Sequence, residues 1–107
     1  MTTDLTDLVV GSRRLHVVAG GAGAPSIVFL HGMGTSASSW RRCMQHLATH
    51  HRVAAPDLIG HGTSPVPDEP AAYLRDRTLD DLDELLVDPA VAIGRPVVLV
   101  GHSLGGY

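Results

Sequence analysis

The chain has 107 residues, of which 44% are hydrophobic and 18% are charged, and its formal net charge is −3. This length suits one small domain, and the composition is typical of a globular rather than a disordered chain. The sequence has no basic stripe, which argues against nucleic acid as a partner. Its acidic start lacks signal-peptide features, no apolar run is long enough to cross a membrane, and Cys43 is the single cysteine. We therefore expect a protein of the reducing cytoplasm that contacts no membrane.

The first half of the chain predicts a hairpin, a buried strand and a helix. Residues 8–10 and 13–18 flank Gly11-Ser12 and are rich in β-forming side chains, which is typical of a β-hairpin. After a glycine-rich loop, residues 26–30 are the apolar run expected of a strand buried on both faces of a parallel sheet. An amphipathic helix is predicted over residues 36–50, capped by Ser36 or Ser38. Its inward stripe would consist of Trp40, Cys43, Met44 and Leu47.

The second half predicts two further strands around a second helix. Residues 53–55 form a short strand ended by Pro56, and residues 57–70 hold too much glycine and proline for a regular element. A helix is expected from about Thr78 to Val87, and residues 96–100 form another apolar strand. The alternation of strands and helices predicts an α/β fold with a parallel sheet covered on both faces. The second helix would turn inward its leucines, namely Leu79, Leu82, Leu85 and Leu86.

The last strand runs directly into a motif that carries chemistry. Gly101-His102-Ser103-Leu104-Gly105 matches the G-x-S-x-G pattern of a nucleophile elbow. That elbow holds a serine on a sharp turn between strand and helix, so that its Oγ projects above the sheet. The bare pattern is common, and an ordinary Gly/Ser loop at a strand end is the alternative interpretation. The position after an apolar strand favours Ser103 as a nucleophile.

A second motif follows the strand over residues 26–30. His31-Gly32-Met33-Gly34 stands between that strand and the first helix, so we expect it at the carboxyl edge of the sheet, where ligands bind in open α/β folds. An acyl-transfer enzyme needs two backbone N–H groups directed at an oxyanion, and one of them comes from a loop of this kind. Alone, His-Gly-x-Gly is a common tight turn.

These two motifs, in this order and each after a buried strand, resemble the α/β-hydrolase superfamily. Residues 56–64 are similar to that family's Asp-x-x-Gly-His-Gly-x-Ser loop, and Ser39-Trp40 also matches. The resemblance extends from about Val9 to the end of the chain and covers the family's fold through its fifth strand. It implies an incomplete α/β-hydrolase fold: an N-terminal hairpin, then parallel strands alternating with helices, ending at the nucleophile elbow. Residues 1–107 would be the N-terminal portion of a single domain.

The resemblance also implies roles for individual residues. Ser103 would be the nucleophile, and the N–H groups of Met33 and Leu104 would form the oxyanion hole. His31 would shape its loop, and the ring of His102 would point away from Ser103. The implied substrate is a small acyl compound, and the resemblance implies no cofactor and no metal.

Other candidate sites fail on their patterns. His46 and His50 are four residues apart on a helix, but no H-E-x-x-H pattern accompanies them. Gly21-Ala22-Gly23 is not followed by the third glycine of a dinucleotide-binding loop, and a strand follows where that loop requires a helix, so it does not predict a dinucleotide site. Asp57 precedes Ser103, whereas the triad acid of this fold follows the nucleophile, so we expect Asp57 to stabilise its loop.

In this fold the triad acid and the triad histidine both follow the nucleophile in the chain. Only four residues follow Ser103 in this sequence. The first hypothesis is therefore the N-terminal part of a serine hydrolase that forms an acyl-enzyme, inactive as this chain alone. Acyltransferases, lyases and perhydrolases of the same fold form a second hypothesis. The third is a non-catalytic binding segment. The sequence does not specify the oligomeric state.

Overall fold

The N-terminal residues form the predicted hairpin. A computed structural model describes residues 4–32, 35–92 and 97–102. Strands β1 (Leu5–Val10) and β2 (Leu15–Gly20) pair in antiparallel register. The turn between them has four residues rather than the predicted two, because both Gly11 and Arg14 adopt positive φ, 82° and 54°. The Arg14 N–H donates to the Gly11 carbonyl at 3.1 Å and closes the turn.

Three more strands complete a five-stranded sheet in the order β1-β2-β4-β3-β5. They are β3 (Ser26–Leu30), β4 (Val53–Pro56) and β5 (Val97–Gly101). Strand β4 pairs antiparallel with β2 and parallel with β3, and β3 pairs parallel with β5. The prediction of a hairpin followed by parallel strands is therefore confirmed. All residues of β3 are buried, as expected for a central strand.

The first helical segment is shorter than predicted. A 3₁₀ turn over Ala37–Trp40 leads into α1 (Arg41–Leu47). Neither predicted serine donates or accepts a side-chain cap bond, because the hydroxyls of Ser36 and Ser38 bond each other. The inward stripe is also partly wrong. Met44 is buried and Cys43 is exposed, since the inward face is centred on Met44 and the small Ala48 one turn later.

The second helix, α2 (Arg75–Leu86), begins three residues before the predicted start and follows a 3₁₀ turn over Pro70–Tyr73. Leu85 is buried as predicted, but Leu79 is 44% exposed, so its inward assignment is wrong.

The face of α2 that packs inward carries Asp81, which is 5% exposed. Arg13 of the hairpin turn neutralises this carboxylate through Nε and Nη2, at 2.9 and 2.6 Å, and donates Nη1–H to the carbonyl of Ala72.

The two faces of the sheet support separate cores. Alternation along β3 directs Val28 and Leu30 to the core that includes Leu85 of α2, and Ile27 and Phe29 to the core that includes Met44 of α1. Both faces are thus covered by helices, as the alternating sequence pattern predicts. Neither described helix is long and apolar enough to cross a membrane.

Strand β5 differs from β3 although both are apolar in sequence. It lies at the edge of the described sheet and pairs only with β3 among the strands over residues 4–32, 35–92 and 97–102. Val98 and Leu99 are 43% and 54% exposed. The apolar run therefore predicts a strand correctly, but its burial depends on which neighbours cover it.

The Arg13–Asp81 pair generates a stability prediction. Asp81→Ala leaves the Arg13 guanidinium, whose side chain is 16% exposed, without its partner carboxylate. We expect a loss of about 3 kcal/mol in the free energy of unfolding, since breaking a largely buried pair from one side costs that order. Urea unfolding measures it. Asp83→Ala, at an exposed position of the same helix, is the matched control and should change stability by less than about 0.5 kcal/mol. Equal effects of the two variants would contradict the prediction.

Candidate functional site

Three loops meet at the carboxyl edge of the parallel strands. They follow Leu30 of β3, Pro56 of β4 and Gly101 of β5, which all end at that edge. The N–H of His102 donates to the carbonyl of Leu30 at 3.2 Å, which extends the β3–β5 pairing up to the residue before Ser103. The two motifs singled out in the sequence therefore leave neighbouring strands side by side. Ser103, Leu104 and Met33 themselves lie outside the described residues, and their roles remain predictions.

His31 shapes the loop after β3 and is fully buried. Its Nε2 accepts the N–H of Leu58 at 2.9 Å, so the proton of the ring is on Nδ1, which donates to the carbonyl of Gly32 at 2.8 Å. Burial lowers the pKa of His31, against the opposing effect of the Gly32 carbonyl. The imidazole is thus neutral, and both of its nitrogens are occupied. This arrangement suits a structural histidine and not a general base.

The Gly32 carbonyl is the acceptor on which this loop converges. Besides His31 Nδ1–H, it accepts the N–H of Thr35 at 3.2 Å and the hydroxyl of Thr35 at 2.7 Å. The loop is then fastened at its far end, where the N–H of Ala37 donates to the Asp57 carboxylate at 2.6 Å. Residues 31–37, hereafter the 31–37 loop, are therefore held at both ends by the consecutive residues Asp57 and Leu58.

Asp57 is a buried carboxylate with three donors. It accepts the Ala37 N–H, the Nδ1–H of His16 at 2.5 Å and the Thr63 N–H at 3.2 Å. Burial opposes its ionisation, but these donors outweigh burial and lower the pKa of Asp57. The stability that Asp57 contributes is therefore present above its ordinary pKa of 3.8 and is lost as pH falls through the folded value. Asp57 was expected to hold its loop through local hydrogen bonds, and the Thr63 contact, six residues away, is of that kind. The contacts with Ala37 and His16 are not local, because these residues lie 20 and 41 positions away.

His16, on β2, is a side-chain partner of Asp57 that sequence reasoning missed. Its Nδ1 faces Asp57 and its Nε2 faces Asp7 of β1 at 2.7 Å, so the ring carries a proton on each nitrogen. Burial would lower the pKa of His16, but the hydrogen bonds and charges of the two carboxylates raise it. The register of the hairpin could have predicted the contact between His16 and Asp7. Val9 pairs with His16, and Asp7 lies two residues from Val9 on the same face of the sheet.

Ser64 joins the same group from the loop after β4. Its hydroxyl donates to the carbonyl of Asp57 at 2.5 Å and accepts the N–H of His16 at 2.9 Å. Nothing in the local sequence around Ser64 indicates a partner 48 residues earlier in the chain.

What this edge can do chemically follows from these contacts. It provides an anchored Gly32 carbonyl, and His31 and Ala37 held by hydrogen bonds, beside the strand that leads to Ser103. Over the residues that the structure describes, no group of His, Cys, Asp or Glu side chains could hold a metal ion. The described part of the edge thus positions backbone groups, and its buried histidine and aspartate are both engaged in structural hydrogen bonds.

Comparison with known proteins agrees with this architecture. A model of an alpha/beta hydrolase family matches residues 27–107. An epoxide hydrolase from Caballeronia sordidicola is 38% identical, over 98% of this chain and 33% of that protein. A haloalkane dehalogenase from Mesorhizobium japonicum is 44% identical, over 70% of this chain and 26% of that protein. The chain spans about a third of the length of the curated relatives it matches.

Solved structures give the same result. An epoxide hydrolase from Vigna radiata superimposes with a TM-score of 0.81 and 30% identity, covering 95% of this chain and 31% of that one. A laboratory-evolved variant of a potato epoxide hydrolase gives a TM-score of 0.82 and 32% identity, covering 97% and 33%. The fold of this chain is thus shared with larger epoxide hydrolases.

The two carboxylates on His16 generate a prediction about pH. A raised pKa in the folded state means that the stabilisation is complete below the ordinary value of 6.5 and is lost as pH rises through the folded value. Asp7→Asn should lower the pKa of His16 and move this loss to lower pH. Unfolding free energies measured from about pH 5 to 9 would show it. Asp68→Asn, at another exposed aspartate, should leave the profile unchanged. Identical profiles for wild type and Asp7→Asn would contradict the assignment.

Gly62 generates a second prediction for this site. It adopts φ +53°, and a Cβ there would overlap the carboxylate of Asp57. Gly11, at φ +82°, meets nothing closer than Glu84 Oε2 at 3.6 Å. Alanine at either position costs about 1–2 kcal/mol for the left-handed backbone. We expect Gly62→Ala to lose at least about 2 kcal/mol more than Gly11→Ala in urea unfolding, because it also displaces Asp57. Equal losses would show that Asp57 accommodates the methyl group freely.

Proposed function

Because this chain belongs to the alpha/beta hydrolase family, we propose that it supplies the nucleophile and the oxyanion hole of a serine hydrolase for small acyl substrates. Ser103 is the proposed nucleophile, and the N–H groups of Met33 and Leu104 are the proposed oxyanion donors. The observation that carries the proposal is the pairing of β3 with β5 up to His102, which brings the two motif-bearing loops to one edge of the sheet.

The chemistry of serine selects the substrate class. A serine alkoxide that attacks a carbonyl carbon forms an ester, and water can cleave that ester to release the enzyme. The same alkoxide on the saturated carbon of an epoxide or a haloalkane would form an ether, which water does not cleave under comparable conditions. Covalent turnover through Ser103 is therefore sustainable with acyl substrates. We therefore expect this chain to act on substrates different from those of the epoxide hydrolases and haloalkane dehalogenases that it resembles.

The anchored carbonyl of Gly32 supports the oxyanion assignment. A peptide unit is planar and trans, so the N–H that follows a carbonyl points away from it. Three donors, from His31 and Thr35, hold the Gly32 carbonyl oxygen. We therefore assign the oxyanion N–H to Met33, whose amide belongs to the same peptide unit as this anchored carbonyl. One such donor contributes about 2.7–4 kcal/mol of transition-state stabilisation.

The proposed reaction also needs a general base and an acid, which follow the nucleophile in the chain order of this fold. Without a base, Ser103 stays a protonated hydroxyl and is a poor nucleophile near neutral pH. We therefore propose that the 107 residues alone are inactive, and that activity belongs to a protein that combines them with those groups. The relatives, about three times as long, provide the precedent for such a protein.

Two alternatives have a specific basis. Hydrolysis of an epoxide or a haloalkane is favoured by the names of the relatives, but it requires a nucleophile other than Ser103. Acyl transfer, lyase or perhydrolase chemistry uses the same fold. Product analysis separates them: a diol from an epoxide indicates the first alternative, and a new ester or a peracid in the presence of a competing acceptor indicates the second.

Labelling with a fluorophosphonate tests the nucleophile. In the protein that carries this chain together with its base and acid, we expect covalent incorporation at Ser103, because the probe reacts with activated serines. Ser103→Ala should abolish incorporation, and Ser38→Ala, at an exposed serine, should leave it unchanged. The site is read by mass spectrometry of the labelled peptide. Equal labelling of wild type and Ser103→Ala would overturn the assignment.

A further inference from the structure

We propose that His16, a residue of the N-terminal hairpin, is a positioning residue for the 31–37 loop and acts through the Asp57 carboxylate. The proposal rests on the function proposed above. His16 contacts neither the predicted nucleophile motif nor the His-Gly motif in the described hydrogen bonds. Its Nδ1 instead binds the carboxylate that holds the far end of the 31–37 loop.

The contacts form a short path across the sheet edge. The Asp57 carboxylate accepts His16 Nδ1–H through Oδ2 and Ala37 N–H through Oδ1. Rotation of this carboxylate would therefore move the point at which the loop enters the first helical turn. The near end of the loop is fixed by Leu58, whose N–H binds His31. Because His31 and Ala37 are fixed to the consecutive residues Leu58 and Asp57, a change at Asp57 alters the separation of His31 and Ala37. The predicted donor Met33 stands between these two residues in the sequence.

His16 has two carboxylate partners, and only one of them bears on the loop. Asp7, on β1, is 67% exposed, whereas the Asp57 side chain is 3% exposed. The titratable groups that face this arrangement are Asp7 from β1 and Asp57 from the loop after β4. His31 lies next to them, and its pKa, lowered mainly by burial, is raised by Asp57 and lowered further by His61. When His16 loses a proton, solvent can replace the lost N–H donor at the exposed Asp7 but not at the buried Asp57. The remaining proton therefore stays on Nδ1, and the loop contact persists.

This reasoning defines a matched pair of variants. The amide nitrogen of asparagine stands where Nδ1 stands in histidine, and that of glutamine stands near Nε2. His16→Asn thus keeps a donor for Asp57 and loses the contact with Asp7, and His16→Gln does the reverse. Asparagine is the poorer residue in a β-strand. A general effect on strand stability would therefore favour glutamine, whereas the proposal favours asparagine.

The first measurement is the rate of fluorophosphonate labelling in the protein that carries this chain with its base and acid. For His16→Gln we expect a maximal labelling rate constant about 10-fold lower at an unchanged half-saturating concentration, since full loss of an oxyanion donor costs about 100–1,000-fold. His16→Asn should stay within about twofold of wild type, and so should Asp7→Asn. Simple destabilisation would lower the labelled fraction and not the rate constant of the folded molecules. Equal rate constants for His16→Gln and His16→Asn would overturn the proposal.

Amide hydrogen exchange provides a readout that does not depend on Ser103. In His16→Gln the N–H of Ala37 should exchange at least about 10-fold faster, while the N–H of Ala48, bonded to Met44 in α1, keeps its wild-type rate. In His16→Asn both should keep their rates. If wild type is not labelled at all, the proposed function fails, and exchange at Ala37 alone then decides whether His16 positions the loop. Acceleration at Ala37 and Ala48 together, or at neither, would overturn the positioning role.

Discussion

The structure at the carboxyl edge of the sheet depends on one buried charge, the carboxylate of Asp57. Removing such a group from water is costly unless donors surround it, and here three elements supply them. The hairpin contributes His16, the first helical turn contributes the N–H of Ala37, and the loop after β4 contributes the N–H of Thr63. Because each element must be in place to satisfy the charge, Asp57 couples the geometry of the hairpin, the first helical turn and the loop after β4. A second buried carboxylate, Asp81, fastens α2 to the hairpin turn in the same way.

The sequence was sufficient where local chemistry determines structure. The strand over Ser26–Leu30 and the strand over Val53–Pro56 were predicted within one residue, because apolar runs bounded by glycine and proline have few alternatives. The inward faces of the helices were harder. Leu79 is exposed and Asp81 is buried, since a partner in the distant hairpin turn determines which face of α2 packs. A hydrophobic pattern read from one helix cannot include that partner.

The same distinction applies to the site. The position of the two motifs at one edge follows from strand order, and the pairing of His102 with Leu30 agrees with it. The tautomer of His31 depends instead on the N–H of Leu58, 27 residues away in sequence. The role of His16 depends on the carboxylate of Asp57, 41 residues away. The family match and the structural likeness to epoxide hydrolases establish the fold. The proposed chemistry depends instead on the hydroxyl of one serine.

The strand order has a kinetic consequence. Strands β2 and β3 follow each other along the chain but do not pair, because β4 is inserted between them. The β2–β4 ladder joins Val17 to Pro56 and Gly20 to Val53, so the hairpin forms early from local contacts and then presents an open edge. That edge stays unpaired until more than thirty residues have been placed. Non-local pairing of this kind slows folding, and an open edge is a template for pairing with another chain. During synthesis, the interval between emergence of the hairpin and arrival of β4 is therefore the period of greatest exposure to misassembly and the period in which a chaperone would be most effective.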